Sequence, residues 1–176
     1  MTEKLPTGRQ VLELARSRIG CRYVFGATVA KNDAECRGPF DCAEFVAWVI
    51  YTVSDGRILY GCSTDDPAQV KHADAYTGYF ERDCTRRGHG IPVSEAAKIE
   101  GAIVLRTPRA GRRGHIVFSD GKGGTIEAHS SADGVIASTL KGPGPEPRAW
   151  TVGILIPGID YTPQGATGGE DAGVPQ

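Results

Sequence analysis

The chain has 176 residues, 40% of them hydrophobic, and its 20 basic and 21 acidic side chains leave a formal charge of −1. That length supports one full hydrophobic core and falls short of two ordinary domains. The near-neutral balance excludes a global field that would draw the chain to nucleic acid or an anionic membrane, and no run approaches the roughly 20 apolar residues of a membrane span.

The start, Met1-Thr2-Glu3-Lys4-Leu5-Pro6, lacks the apolar stretch of a secretory signal. Residues 7–19 are expected to form an amphipathic helix, with Thr7 as cap, Val11, Leu12, Leu14, Ala15 and Ile19 as the apolar set, and Gly20 as the stop. A short aromatic segment with Tyr23 and Phe25 follows. Residues 27–40 hold Gly, Pro, Asn and charges without periodicity and read as a loop.

The chain is organised around the next stretch. Cys42, Phe45, Val46, Val49, Ile50 and Val53 recur at helical spacing, a stripe that faces a core. Asp41 and Glu44 have the spacing of an N-cap and its reciprocal acidic residue, and Gly38-Pro39 prevents an earlier start. The helix is therefore expected to begin at Cys42. Unpaired backbone N–H groups and the helix dipole there favour a thiolate, with a pKa below the free value of about 8.5. The competing reading is a buried cysteine that only packs.

Further on, Thr64-Asp65-Asp66-Pro67 has the composition of a helix start. Residues 74–100 carry little pattern beyond one helical turn at residues 94–98. From Gly101 the period becomes strand-like, over residues 102–105, 115–119, 125–130, 135–139 and 151–156. Helices followed by an antiparallel sheet of about five strands give an α+β fold class. The Gly/Pro-rich tail, residues 159–176, is expected to be disordered after one domain over residues 1–158.

The five cysteines, at 21, 36, 42, 62 and 84, contain no C-x-x-C pair, and the four histidines, at 72, 89, 115 and 129, have no ligand spacing. No metal site is expected. Two disulfides with a free Cys42 would suit an oxidising compartment, and five thiols the cytoplasm. The glycines around Lys122 lack a phosphate-loop pattern and suit a hairpin turn.

A three-residue turn over 121–123 makes opposed residues of the two flanking strands sum to 244, which sets His115 across from His129. Ile116, Phe118, Ile126 and Ala128 then share an apolar face, and the histidines share the other. A thiol at a helix start, a histidine to take its proton and a second group to orient that histidine constitute a nucleophilic triad. The candidates are Cys42 as nucleophile, His115 as base and then acid, and His129 as orienting partner. Arg106, Arg109, Arg112 and Arg113 lie just before His115, either as a solvated basic loop or as a site for substrate carboxylates.

Together, Ala15-x4-Gly20-x2-Tyr23-x-Phe25-Gly26, Phe40-Asp41-Cys42-Ala43-Glu44-Phe45-Val46, Gly114-His115-Ile116-Val117 and Glu127-Ala128-His129-Ser130 resemble the NlpC-type cell-wall cysteine peptidases, a bacterial branch of the papain-like superfamily. The resemblance spans residues 8–157 and implies hydrolysis of an amide bond in peptidoglycan stem peptides through a thioester, with no cofactor. It also implies that Tyr23 lies close to the nucleophile and helps hold substrate, and that the backbone beside Asp41 and Cys42 contributes to an oxyanion hole. The chain departs from the family where Ala43-Glu44 replaces a small Ser-Gly pair and Gly101-Ala102 replaces Gly-Asp.

A wall substrate and no Sec signal together predict delivery by another route, as an antibacterial effector or a phage lysis or tail protein, with a delivery or immunity protein as partner. Two rivals stand beside this reading: a papain-like amidase or acyltransferase acting on a non-wall substrate, and a non-catalytic wall-binding module.

Overall fold

The computed structural model describes residues 2–163. Helices α1 (Gly8–Arg16) and α2 (Cys42–Val53) come first, followed by a 3-10 helix (Pro67–His72) and α3 (Thr77–Arg87). After the short β1 (Gly90–Ile91) and α4 (Val93–Ala96), the chain builds β2 (Glu100–Arg106), β3 (His115–Asp120), β4 (Gly124–Ser130), β5 (Gly134–Thr139) and β6 (Val152–Ile154). The strands form one antiparallel sheet in the order β1-β6-β2-β3-β4-β5. It has six strands where the sequence suggested about five, because the two-residue β1 is too short to show a period.

α1 begins at a complete capping box: Thr7 Oγ1 accepts from the Gln10 N–H and Gln10 Oε1 accepts from the Thr7 N–H. Val11, Leu12 and Ala15 are fully buried, but the helix ends at Arg16, so Ile19 lies beyond it and is 47% exposed. Gly101 sets the seating of α1 on β2. Its φ is +82° and a Cβ there would overlap the Gly8 carbonyl, a backbone approach only glycine permits.

α2 is enclosed rather than striped, with every side chain from Ala43 to Ile50 buried. Phe45 meets Phe40 and Phe118 edge-on, at 5.3 and 6.1 Å between ring centroids. The far side of the helix is closed by the 27–40 loop. The Trp48 indole N–H donates to the Asp33 carbonyl, and Arg18 lies over the Trp48 ring while donating to the Cys36 and Ala34 carbonyls. The opposite face of the sheet carries a smaller cluster of Ala96, Ala102, Val104 and Val117, packed by Trp150, Leu140 and Leu155.

The expected turn of 94–98 is α4, and the Asp66-Pro67 start opens the 3-10 helix, with Asp66 accepting from the Ala68 N–H. α3 is an element that the sequence did not suggest. It has no side-chain cap, and its inward residues are Thr77, Phe80, Asp83 and Cys84, a mixture with no apolar period. The buried Asp83 is satisfied by the Gly61 N–H at 2.9 Å. Residues 159–161 belong to the folded body rather than to a tail. Ile159 is buried, the Asp160 N–H donates to the Pro6 carbonyl, and the Tyr161 hydroxyl accepts from the Ile156 N–H. The remainder of the expected tail, from residue 164, lies outside the described residues.

Candidate active site

A cleft of about 920 Å³ opens between the N-terminal end of α2, the N-terminal end of β3, the 23–28 loop and the turn leading into α3. Tyr23, Asp41, Cys42, His115 and His129, the five candidate residues, all line it. The poorly patterned segment supplies one wall, through Asp74, Ala75, Tyr76 and Thr77. Gly114 lets that wall approach β3, since a Cβ on it would overlap the Thr77 side chain.

Cys42 is the first residue of α2, and Asp41 is its N-cap, accepting from the Glu44 N–H at 2.8 Å. The expected reciprocal bond from Glu44 is not made. Its carboxylate turns away from the helix start and accepts from Lys31 Nζ at 2.5 Å and from the Val29 and Ala75 N–H groups at 3.3 and 2.7 Å. Lys31 and Glu44 are each 1% exposed, so the helix's first turn is tied to both cleft walls through a buried ion pair. Tyr23 is placed by its parallel bridge to Phe40, next to Asp41.

The thiol departs from the expected thiolate. Burial pushes the Cys42 pKa up to about 12, and the charge of Asp41 pushes the same way, while the backbone N–H groups of Ala43, Ile116 and Cys42 pull it down. Desolvation outweighs the helix start because no cationic side chain donates to the sulfur. Burial likewise raises Asp41 to about 6 and Tyr23 to about 12, the latter helped by the nearby Cys42 and Asp41. The Ile116 amide that points at the sulfur belongs to the residue after His115.

The strands carrying the histidines keep the expected register where they pair, Phe118 with Ile126 and Ser119 with Thr125, and the apolar face of Ile116, Phe118, Ile126 and Ala128 is buried in the main core. The hydrogen-bond partner of His115 is Glu127 rather than His129. His115 Nε2 lies 3.2 Å from Glu127 Oε1, whereas the His115 and His129 rings stand 6.2 Å apart, nearly perpendicular. His129 Nδ1 is engaged by Asp133 at 2.8 Å, and its Nε2 is 3.9 Å from Glu127. The ladder stops at the Phe118 and Ile126 pair, so the histidines are not held directly opposite, and the longer diagonal reach from Glu127 makes the contact.

Glu127 is completely buried. Burial alone would raise its pKa, but hydrogen bonds from His115, Arg148 and Thr125 bring it down to about 2. Arg148 meets it with two nitrogens, at 2.6 and 3.0 Å, and the Thr125 hydroxyl at 2.6 Å. Trp150 completes the frame, stacked against His115 at 5.9 Å with Arg148 over its ring and its indole N–H donating to the Leu140 carbonyl. An ionised carboxylate can only accept, so the His115 proton sits on Nε2 and Nδ1 keeps its lone pair. Burial lowers the His115 pKa, with Glu127 opposing, so the ring is neutral at physiological pH.

The backbone superimposes on solved NlpC/p60 domains. The NlpC/p60 domain of the peptidoglycan hydrolase SagA matches with a TM-score of 0.57 and 20% identity, covering 85% of this chain and 99% of that one. The peptidoglycan hydrolase RipB from Mycobacterium tuberculosis matches at 0.55 and 20%, over 84% of this chain and 63% of its own. An NlpC/p60 family protein from Bacillus cereus gives 0.58 and 16%, over 91% and 42%. The chain has the NlpC/p60 fold. No protein-family model and no curated protein matches the sequence.

Within this NlpC/p60 fold, Glu127, Arg148 and Trp150 are the site residues that sequence reasoning missed. Glu127 left a signal, because strand alternation puts it on the same face as His129, one carboxylate between the apolar Ile126 and Ala128. Arg148 and Trp150 left none, since they arrive from an irregular connection between β5 and β6. Cys21, Cys36, Cys42, Cys62 and Cys84 are all free thiols. Among the described residues no helix is long and apolar enough to cross a membrane, and no three His, Cys, Asp or Glu side chains are grouped to hold a metal ion.

Proposed function

We propose that the chain is a cysteine peptidase that hydrolyses an amide bond in peptidoglycan stem peptides, with Cys42 as nucleophile, His115 as base and acid, and Glu127 as the group that orients His115. The observation that carries this reading is the shared cleft of a cysteine at a helix start and an imidazole whose Nε2 is held by a buried, ionised carboxylate. The names of the solved neighbours, peptidoglycan hydrolases among them, support the substrate class.

Thiol and imidazole both start uncharged. Attack of Cys42 Sγ on the amide carbonyl passes the thiol proton to His115 Nδ1, and Glu127 stabilises the imidazolium that forms. The Cys42 and Ala43 amides at the start of α2, which have no intrahelical acceptor, and the Tyr23 hydroxyl are the donors available to the oxyanion, each worth about 3 kcal/mol when well aimed. His115 then gives the proton to the departing amine, leaving a thioester at Cys42. It next takes a proton from water, which attacks the thioester and releases the carboxylic acid and the thiol. His129 lines the cleft beside this pair as a polar wall residue held by Asp133.

Acting at the wall, as a delivered effector or a phage lysis or tail protein, such an enzyme lyses from outside the cytoplasm. The test is incubation of the protein and of Cys42→Ala with intact and muramidase-digested peptidoglycan, followed by mass analysis. Loss of a defined stem-peptide mass that depends on Cys42 is the expected result, with lysis on periplasmic but not cytoplasmic expression. Unchanged fragments from a folded protein with a reduced thiol would overturn the wall-amidase reading.

A further inference from the structure

The loop between β2 and β3 brings four arginines to the cleft, Arg106, Arg109, Arg112 and Arg113. Two of them have fixed employment. Arg106 donates to the Arg113 and Arg148 carbonyls, both at 3.1 Å, and Arg109 is held by the Glu81 carboxylate at 3.0 and 3.2 Å. Arg112 and Arg113 differ, since among the described residues neither side chain meets a carboxylate or a carbonyl. The Arg113 guanidinium instead lies over Phe25, 4.4 Å from the ring centroid, reaching the loop that carries Tyr23.

The loop itself is closed. Arg109 and Arg112 exchange two backbone hydrogen bonds, at 3.1 and 3.0 Å, around Ala110-Gly111, so both free guanidiniums start from a defined turn and Arg113 lies two residues before His115. The acidic groups of the cleft do not balance them. Asp41 caps α2, Glu44 is consumed by Lys31 and two amides, and Asp74 belongs to the opposite wall. Burial lowers the Arg106 pKa, and the positive charges of Arg112 and Arg148 push the same way, so the basic groups at this end of the cleft are close together.

We propose that Arg112 and Arg113 form a carboxylate-binding rim, through which the cleft selects peptides whose carboxyl groups beside the scissile amide are free over the same peptides with those groups amidated. The planar guanidinium is suited to this, offering paired donors that match two carboxylate oxygens but find only one acceptor on a carboxamide. This inference rests on the amidase reading above and specifies its substrate.

The test uses the tripeptide L-alanyl-γ-D-glutamyl-diaminopimelate in three forms: free acid, amidated at the glutamyl α-carboxyl, and amidated at the C-terminal carboxyl. The expected result is a kcat/KM about tenfold higher for the free acid than for one of the amides, and the amide that suffers identifies the carboxyl bound. In Arg112→Gln/Arg113→Gln the preference falls to within twofold of unity, and in Arg112→Lys/Arg113→Lys part of it remains. Both side chains are exposed and among the described residues donate no hydrogen bond, so matching melting curves are expected for all three proteins. Equal rates on all three peptides by the unsubstituted protein, or a preference that survives the double glutamine change, overturn the proposal. If no peptide is cleaved, the amidase reading fails separately, and calorimetric titration of Cys42→Ala decides this one. Tighter binding of the free acid that is lost with the two arginines supports the rim, and equal or absent binding removes it.

Discussion

Replacing Glu127 with Gln changes one charge and almost no volume, and the structure gives the consequence a size. The carboxylate's fall from 4.5 to about 2, at about 1.4 kcal/mol per tenfold in proton affinity, amounts to about 3 kcal/mol of stability. A second route gives a similar figure: Glu127→Gln leaves Arg148, 11% exposed, without its counter-charge, and breaking a buried pair from one side costs about 3–5 kcal/mol. A folded-state pKa below the unfolded one means stability present above pH 4.5 and lost as pH falls toward 2. Urea unfolding followed by tryptophan fluorescence should therefore show Glu127→Gln about 3 kcal/mol less stable at pH 7, with the gap roughly halved at pH 3. The same variant should lose roughly 10²–10⁴ in kcat, because an amide at this position can donate to Nε2 and stabilise the wrong tautomer. A gap below about 1 kcal/mol at pH 7, or one that does not narrow in acid, would refute the account of Glu127 as a charge held by its partners.

Other perturbations follow from the same geometry. Glu44→Ala strands Lys31 in the interior, and a loss of about 3–5 kcal/mol should lower the melting temperature by about 10 °C; a calorimetric drop below about 2 °C would contradict the buried pair. With its pKa pushed up by burial, Cys42 in the free protein should alkylate with iodoacetamide at a rate that climbs from pH 7 through pH 10; a plateau already reached below pH 7 would show a resting thiolate instead. Gly101→Ala should cost at least about 2 kcal/mol in urea unfolding, since the added methyl meets the Gly8 carbonyl at a positive φ. Ala149 holds a left-handed φ of 55° between Arg148 and Trp150, so Ala149→Gly should stabilise the fold by about 1 kcal/mol, and a destabilised variant would remove the strain argument.

The parts of this fold legible in the sequence are those where a short-range rule and the tertiary packing agree. Thr7 and Asp41 mark helix starts because their side chains bond amides three residues on, and the hairpin register follows from turn length because Ile126 and Ala128 have only one face to bury. α3 was illegible because its inward positions include the polar Thr77 and Asp83, the latter satisfied by the distant Gly61 N–H. The placement of Cys42 and His115 in one cleft is legible because each sits at the start of a regular element. Turn length alone points to His129 as the neighbour of His115 because directly opposed residues are ordinarily closest; the ladder ends before that pair, and the contact goes to Glu127. The thiol's protonation was misjudged for a physical reason too, since a helix start favours charge only while the sulfur remains solvated.

The Ala43-Glu44 departure beside Cys42 bears on how the site divides its work. A carboxylate in the first turn of α2 would hold the thiol protonated if it faced the sulfur, but Glu44 is directed into Lys31 and two loop amides, where it fastens the cleft walls. What keeps Cys42 neutral is its own burial and Asp41. In the proposed mechanism nucleophile and base therefore meet uncharged, and the barrier depends on how readily His115 takes a proton as the sulfur–carbon bond forms. That readiness is set from the far side of the ring, by Glu127, and the charge of Glu127 is in turn secured by Arg148 from the connection before β6. Among the described residues, the Lys31–Glu44 and Arg148–Glu127 pairs are both buried, the first beside the cleft walls and the second behind the proposed base. Loss of either pair should lower stability, but loss of the Lys31 pair should fall on substrate affinity and loss of the Arg148 pair on kcat.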